Sequence, residues 1–160
     1  ESNVMEDIIL ANIKRLKRQI PEFVPPAANY ESFTLVDNLA YISGQLPIRD
    51  GCLIYSGKVG HTVSKEQAME ASEQCTMNII AQFNELTSGD LSKIKKIIKI
   101  TGYVACTNNF TEQHLVLNAA SNLLIDIFGT TGRHARVAIG CSSLPLDAPV
   151  EIESIVQMRI

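Results

Sequence analysis

The chain has 160 residues, of which 46% are apolar and 19% charged, and it carries a formal net charge of −3. One hydrophobic core serves a chain of this length and composition, which argues against a second large domain and against general disorder. The net negative charge opposes a general attraction to nucleic acid, and no apolar run approaches the roughly 20 residues that cross a bilayer.

The first predicted element is an amphipathic helix from Met5 to about Ile20. Its apolar residues recur at helical spacing, and its last turns are basic, which suits the negative end of the helix dipole. Pro21 ends the helix, and two further prolines predict an extended arm after it, because proline cannot continue a helix. We therefore divide the chain into an N-terminal helix with a proline-rich arm (residues 1–28) and a core domain (residues 29–160).

The core domain is predicted to begin with strands. Hairpin-connected strands over 33–36 and 39–43 precede a short strand at 52–54, with turn residues between them. Ser64 and Gln67 have the spacing of a capping box, and the apolar stripe after them predicts a long helix.

The second half of the core domain repeats the alternation of strand and helix. A run rich in Ile, Val, Thr and Tyr predicts a strand over 95–107. Thr111 is the predicted cap of a second long helix, which ends at Gly129. Strands over 135–141 and 150–160 complete the chain on either side of a proline turn.

This order of elements predicts an α+β fold, in which a mixed β-sheet carries two long helices on one face and the chain adds an N-terminal helix. The other face of the sheet then needs a cover. Because the sequence offers no third core helix, a partner subunit is the natural cover, and the element count predicts an oligomer.

The residue pattern does not support a metal or cofactor site. Four cysteines lie far apart without a C-x-x-C pair, and three histidines share no metal-ligand spacing. Glycine-rich phosphate-binding motifs are missing from the sequence. We therefore expect no metal and no cofactor. The reduced thiols, together with the lack of a long apolar run, predict a cytoplasmic protein without a membrane partner.

Two charged residues at strand ends are the candidates for chemistry. Arg136 opens an apolar strand, and Glu151 opens the last strand after a proline turn. A half-buried arginine binds a carboxylate through two parallel hydrogen bonds, which makes Arg136 a candidate anchor for a small organic acid, and Glu151 can orient a water. A structural ion pair between the two residues is the alternative, and the residues alone favour it.

Three motifs in fixed order resemble a known family. They are Tyr41-Ile42-Ser43-Gly44-Gln45-Leu46-Pro47, Ala135-Arg136, and Leu144-Pro145 followed by Val150-Glu151-Ile152-Glu153. Together they resemble the RidA family, also called YjgF or endoribonuclease L-PSP, over about residues 29–160. The segments 110–113 and 132–136 resemble a longer-chain subgroup of that family. The resemblance implies a fold like that of chorismate mutase and a homotrimer whose active sites lie between neighbouring subunits.

The resemblance also implies a reaction and roles for residues. The reaction is the hydrolysis of 2-imino acids to 2-keto acids and ammonia, which needs no cofactor. Arg136 would hold the carboxylate of the small-molecule substrate, and Glu151 would position or activate the attacking water. Tyr30 would close the pocket over the substrate, while Ser43 and the backbone of Gly44 line it.

Three further positions qualify the resemblance. Asn118 corresponds to a substrate-binding helix asparagine of the family, although the segment before it is about one turn longer than usual. Val137 and Ala138 stand where the archetypal deaminases carry small hydroxyl or thiol residues. The loss of polar contacts beside Arg136 is expected to shift substrate choice or activity.

Two other functions remain open at this point. In the first, the protein is a non-catalytic trimer that binds a small carboxylate and reports its level. In the second, it is an endoribonuclease, although an acidic chain must then concentrate its phosphate-binding surface locally, and only the basic cluster at 14–18 offers that. A nucleic-acid partner is therefore less favoured than a small-molecule substrate.

Overall fold

The computed structural model describes residues 3–160, which form a five-stranded sheet, a small two-stranded ladder and three α-helices. In chain order the elements are α1 (Asn3–Arg15), β1 (Phe33–Val36), β2 (Leu39–Gln45), β3 (Ile48–Arg49), β4 (Cys52–Leu53), α2 (Lys65–Leu86), β5 (Ile94–Ala105), α3 (Gln113–Phe128), β6 (Ala135–Cys141) and β7 (Val150–Met158). The large sheet has the order β1-β2-β7-β5-β6. Its β5 and β6 run parallel, and all other neighbours are antiparallel.

Helices α2 and α3 cover one face of the large sheet. Along β5, Ile100 and Val104 are fully buried on the helix side, whereas Thr101 and Tyr103 lie on the opposite face and are partly exposed. This alternation is expected where one face of a sheet packs on the core. The predicted α+β fold, with a mixed sheet and two long helices on one face, is confirmed.

The opposite face of the sheet is open and partly apolar. Tyr41, Val137 and Ile139 on this face are 45%, 42% and 42% exposed. Polar side chains, among them Lys99, Thr101 and Glu153, lie between these apolar ones, so the face is of mixed character. The uncovered face that the element count predicted is therefore present.

The two long helices begin differently. At α2 the side chain of Ser64 accepts a hydrogen bond from the Gln67 N–H at 3.1 Å, and the Gln67 side chain accepts one from the Ser64 N–H at 3.0 Å. This capping box is the predicted one, and such a cap contributes about 1 kcal/mol. At α3 the predicted cap Thr111 is wrong, because the helix starts after Glu112 and no side chain caps it.

The first helix is shorter than predicted, because α1 ends at Arg15 and not near Ile20. Lys17 adopts a left-handed φ of 57°, and the Arg18 N–H then donates to the Ile13 carbonyl at 3.0 Å. This hydrogen bond closes the helix end in the manner of a Schellman motif. A lysine at the left-handed position gives no stop signal in the sequence, where glycine would.

Helix α1 and the segment after it are attached to the core. Ile9 is buried, and the Asn12 side chain donates to the Ile127 carbonyl of α3 at 3.0 Å. Arg18 then forms a salt bridge with Glu73 of α2, and the proline-rich arm follows. None of the helices in residues 3–160 combines the length and apolarity that a membrane-spanning helix requires.

A glycine on β5 sets how closely α3 approaches the sheet. A Cβ atom at Gly102 would lie 2.2 Å from Cδ1 of Leu117 in α3, so a larger residue does not fit there without a shift. Leu117 therefore rests directly on the backbone of β5. This close contact fixes α3 beside the edge strand β6, which pairs with β5.

Candidate active site

Arg136 lies on β6 and faces α3. Its strand partner is the buried Ile100, which places it on the helix side of the sheet. Its Nη1 donates hydrogen bonds to Asn118 Oδ1 at 2.9 Å and Ser121 Oγ at 3.2 Å, and Nη2 donates a longer one to the His114 carbonyl at 3.4 Å. These acceptors lie three or four residues apart in α3 and so share one face of the helix.

The charge of Arg136 is not neutralised within the part of the chain that the structure describes. The salt bridges among residues 3–160 join Arg18 to Glu73 and Lys65 to Glu112. Arg136 is half-buried and has only neutral hydrogen-bond partners. A guanidinium in this state retains its full attraction for an incoming carboxylate.

The structural ion pair between Arg136 and Glu151 does not form within one chain. Arg136 pairs with Ile100 of β5, whereas Glu151 of β7 pairs with Tyr103, which lies on the open face. The two side chains therefore start from opposite faces of the sheet. With about 3.3 Å per residue and about 4.8 Å between strands, their Cα atoms are about 14 Å apart.

Glu151 lies over Gly44 of the neighbouring strand β2. A Cβ atom at Gly44 would be 2.7 Å from Glu151 Oε2, so the glycine leaves the space that the carboxylate occupies. Burial raises the pKa of the half-buried Glu151 carboxyl above its ordinary value, and the charge of Glu153 raises this pKa further. A carboxyl with a raised pKa is suited to accept and return a proton near neutral pH.

Tyr30, Ser43 and Gly44 line one groove between the proline-rich arm and the end of β2. The Ser43 hydroxyl donates to the Glu31 carbonyl at 2.6 Å, and this bond ties β2 to the end of the arm. The Tyr30 side chain is 57% exposed at the groove. An irregular register between β2 and β7 occurs at this point, where the Glu151 carboxylate meets Gly44.

The predicted site residues thus form two groups. The arginine group contains Arg136 and Asn118, on β6 and α3. The carboxylate group contains Glu151 and Gly44, together with the groove residues Tyr30 and Ser43. Within residues 3–160 of a single chain, the structure does not bring the two groups together.

Val137 and Ala138, the two residues after Arg136, lie on opposite faces of the sheet. Ala138 lies two residues along the strand and shares the face of Arg136, whereas Val137 points to the open face and is 42% exposed. Only Ala138 therefore lies on the face of the arginine group. Val137 instead contributes to the apolar surface of the open face.

Sequence reasoning missed two residues of the arginine group. Ser121 accepts a hydrogen bond from Arg136, and its Oγ lies 2.8 Å from Nε2 of His134. The only signal for Ser121 was its position one turn after Asn118 on the same helix face. For His134 the sequence offers only its place in the segment 132–136, and it has no metal-ligand spacing. Among the described residues, no group of three or more His, Cys, Asp or Glu side chains is arranged to hold a metal ion.

Comparisons with known proteins cover nearly the whole chain. The sequence model of the family described as "YjgF/chorismate mutase-like, putative endoribonuclease" matches residues 12–155. Protein TCP17 of Trypanosoma cruzi is 35% identical over 154 residues, which is 94% of each chain. The crystal structure of protein Atu1372 from Agrobacterium tumefaciens has a TM-score of 0.91 at 44% identity and covers 99% of this chain and 96% of its own. That of a "putative endoribonuclease" from Shewanella oneidensis has a TM-score of 0.89 at 29% identity and covers 94% and 99%.

Proposed function

Because the chain belongs to the YjgF/chorismate mutase-like, "putative endoribonuclease" family, we propose that it hydrolyses 2-imino acids to 2-keto acids and ammonia. The resemblance of its motifs to the RidA (YjgF) family is confirmed. One observation carries the proposal. Arg136 is held by neutral acceptors, and none of the salt bridges in residues 3–160 involves it.

The guanidinium of Arg136 keeps donors free for a ligand. An arginine has five N–H donors, and both donors of Nη1 and one of Nη2 are directed at acceptors in α3. The Nε–H and one N–H of Nη2 remain. This pair of donors matches the two oxygens of a carboxylate. The donor count therefore supports a substrate that carries a carboxylate group.

Glu151 supplies the proton transfer in the proposed reaction. As water attacks the iminium carbon, the ionised Glu151 accepts a proton from it, and a tetrahedral carbinolamine forms. The same proton is then returned to the nitrogen; as the C–N bond breaks, Glu151 accepts the proton of the carbinolamine hydroxyl, so that ammonia leaves and the keto acid forms. The raised pKa of Glu151 supports this role, because acceptance and return of a proton both become easier near neutral pH.

The proposed site is shared between subunits of a homotrimer. Arg136 and Asn118 come from one subunit, and Tyr30, Ser43, Gly44 and Glu151 come from its neighbour. The separation of the two groups on opposite sheet faces supports this arrangement, and so does the open, partly apolar face. A closed ring repeats the same contact at each interface and so completes every site.

A coupled assay tests the proposal. A serine dehydratase generates 2-aminoacrylate, and keto-acid release is followed with the wild type, Arg136→Ala and Glu151→Gln. We expect the wild type to accelerate release and both variants to lose at least about 100-fold, because each lacks an interaction with the transition state. The control is Arg133→Ala, which removes an exposed arginine from the segment before β6 and is expected to retain full activity.

Two other outcomes distinguish the alternative functions. Saturable pyruvate binding by the wild type, without acceleration of any imine hydrolysis, contradicts the deaminase and supports the non-catalytic trimer. Cleavage of single-stranded RNA that is lost with Arg136→Ala supports the activity in the name of the Shewanella relative. Of the basic cluster at 14–18, Arg18 is already paired with Glu73, which leaves less of it for phosphate binding.

A further inference from the structure

A chain of hydrogen bonds runs from the turn before β6 to the guanidinium of Arg136. Nδ1 of His134 lies 2.6 Å from the Gly132 carbonyl oxygen, and its Nε2 lies 2.8 Å from Ser121 Oγ. Ser121 Oγ in turn lies 3.2 Å from Nη1 of Arg136. These hydrogen bonds therefore link three parts of the fold, which are the turn before β6, helix α3 and the edge strand β6.

One arrangement of protons with a neutral imidazole satisfies every contact in this hydrogen-bond network. A carbonyl oxygen only accepts, so Nδ1 of His134 carries a hydrogen and donates it to Gly132. Arg136 only donates, so Ser121 Oγ accepts from it, and the single hydroxyl proton of Ser121 is left for Nε2 of His134. With the hydroxyl in this orientation the imidazole is neutral and protonated at Nδ1; in the charged form, Nε2 would instead donate to the second lone pair of Ser121 Oγ. In this arrangement every donor of the hydrogen-bond network faces an acceptor.

The surroundings of His134 favour the neutral ring. Burial lowers the pKa of His134, and this exceeds the opposing effect of the Gly132 carbonyl. Two cations act on the ring, Arg136 from β6 and Lys96 from β5, and both lower its pKa further, while α3 presents the uncharged Ser121. A protonated ring would direct a second donor at Ser121 Oγ and repel Arg136.

We propose that Ser121 and His134 are positioning residues that orient the guanidinium of Arg136 toward the substrate carboxylate. This rests on the proposed function, in which Arg136 is the carboxylate anchor. Because Ser121 and His134 hold Nη1, the Nε–H and the free Nη2–H stay together on the remaining edge of the guanidinium. An anchor that is oriented before binding loses less conformational entropy when the ligand arrives.

The lack of charge on Ser121 and on the ring of His134 is part of this proposal. A glutamate or aspartate in place of Ser121 would also fix the arginine, but it would cancel the positive charge and compete with the substrate. A serine backed by a neutral histidine gives the same direction without a counter-charge. The pair therefore keeps Arg136 both fixed and attractive to an anion.

Paired substitutions test the proposal. Ser121→Ala and His134→Gln are expected to raise the KM for the imino acid and the Kd for pyruvate about 5–10-fold, with kcat changed less than about twofold. Ser121→Thr keeps the hydroxyl and is expected to stay within about twofold of the wild type. Asn122→Ala, an exposed neighbour on α3, is the matched control. In an Arg136→Ala background, Ser121→Ala is expected to have no further effect.

Nuclear magnetic resonance gives a readout that does not depend on turnover. The ¹⁵N shifts of His134 should report protonation at Nδ1, and rotation of the Arg136 guanidinium should be slow in the wild type and faster in Ser121→Ala and His134→Gln. An Nε2-protonated ring, or rotation and pyruvate binding unchanged in both variants, overturns the proposal. If the wild type hydrolyses no imine but the guanidinium is still released in the variants, the proposed function fails while the positioning role stands.

Discussion

The two charged groups of the site are built in opposite ways. Arg136 has three hydrogen-bond acceptors from a single helix, all neutral and all within the same chain. Among residues 3–160 no side chain or backbone group donates a hydrogen bond to the carboxylate of Glu151, which is half-buried, lies near Glu153 and has a raised pKa. The surroundings of Arg136 therefore stabilise its positive charge, whereas those of Glu151 destabilise its negative charge.

This difference shows what each subunit supplies by itself. The arginine group is complete as an anion-binding element, because α3 fixes the cation and leaves its charge available. The carboxylate group is incomplete, since a half-buried carboxylate without protein donors loses part of its hydration, and another molecule that contributes donors would stabilise its charge. The contrast therefore predicts that one subunit supplies the anchor for the carboxylate, whereas turnover depends on two.

Mixed trimers offer the strongest test of this contrast. Arg136→Ala and Glu151→Gln are each expected to be inactive alone, but an equal, random mixture of the two subunits should recover about a quarter of the wild-type rate. The recovered sites combine the intact Arg136 of one subunit with the intact Glu151 of its neighbour. The measurement is imine hydrolysis after the two variants are unfolded and refolded together.

Mixing without unfolding is the control, because subunits that do not exchange should stay inactive. A refolded mixture with no activity, although it assembles to the same size as the wild type, would contradict a site shared between subunits. The contrast between the two groups would then need a conformational explanation within one chain.

Substitution of Gly44 tests the carboxylate group alone. In Gly44→Ala the new methyl group takes the space of Glu151 Oε2, and we expect kcat to fall about 10-fold while pyruvate binding at Arg136 changes less than about twofold. Thermal stability should change little, because the clash is with the end of a flexible side chain.

A shorter acid should relieve the clash at Gly44. Starting from Glu151→Asp, the further change Gly44→Ala is expected to have a smaller effect on kcat than it has in the wild type. Equal effects in both backgrounds would show that Gly44 acts through the backbone of β2 and not through the carboxylate.

The arginine and carboxylate groups also differ in how far sequence could predict them. The capping box of Ser64 and Gln67 is a local pattern, and the structure contains it as predicted. The placement of Arg136 and Glu151 on opposite faces depends on the registers of β6, β5 and β7, which no periodicity within one strand reveals. For that reason an intrachain ion pair remained open at the sequence level.

Tertiary contacts and rare backbone conformations account for the rest. His134 and Ser121 are 13 positions apart, and they meet only because the turn before β6 folds back on α3. The end of α1 depends on a left-handed Lys17, which has no distinct sequence signal. The sequence motifs identified the charged residues of the site. The contacts that support those residues depend on the tertiary structure and could not be predicted from the motifs.

The smallest expected effect is a change in melting temperature, because the charge of the half-buried Glu151 lowers the stability of the folded protein. Because its folded-state pKa is raised, the folded protein binds more protons than the unfolded chain just above the ordinary pKa, and stability falls as the pH rises through the folded-state value. Glu151→Gln removes this cost. We expect its melting temperature to exceed that of the wild type by about 1–3 °C at pH 8 and to approach it at about pH 3, where the glutamate is largely neutral in both states. A lower melting temperature for Glu151→Gln at pH 8 would contradict this, and it would mean that a cation of a neighbouring subunit compensates the Glu151 charge in the assembled protein.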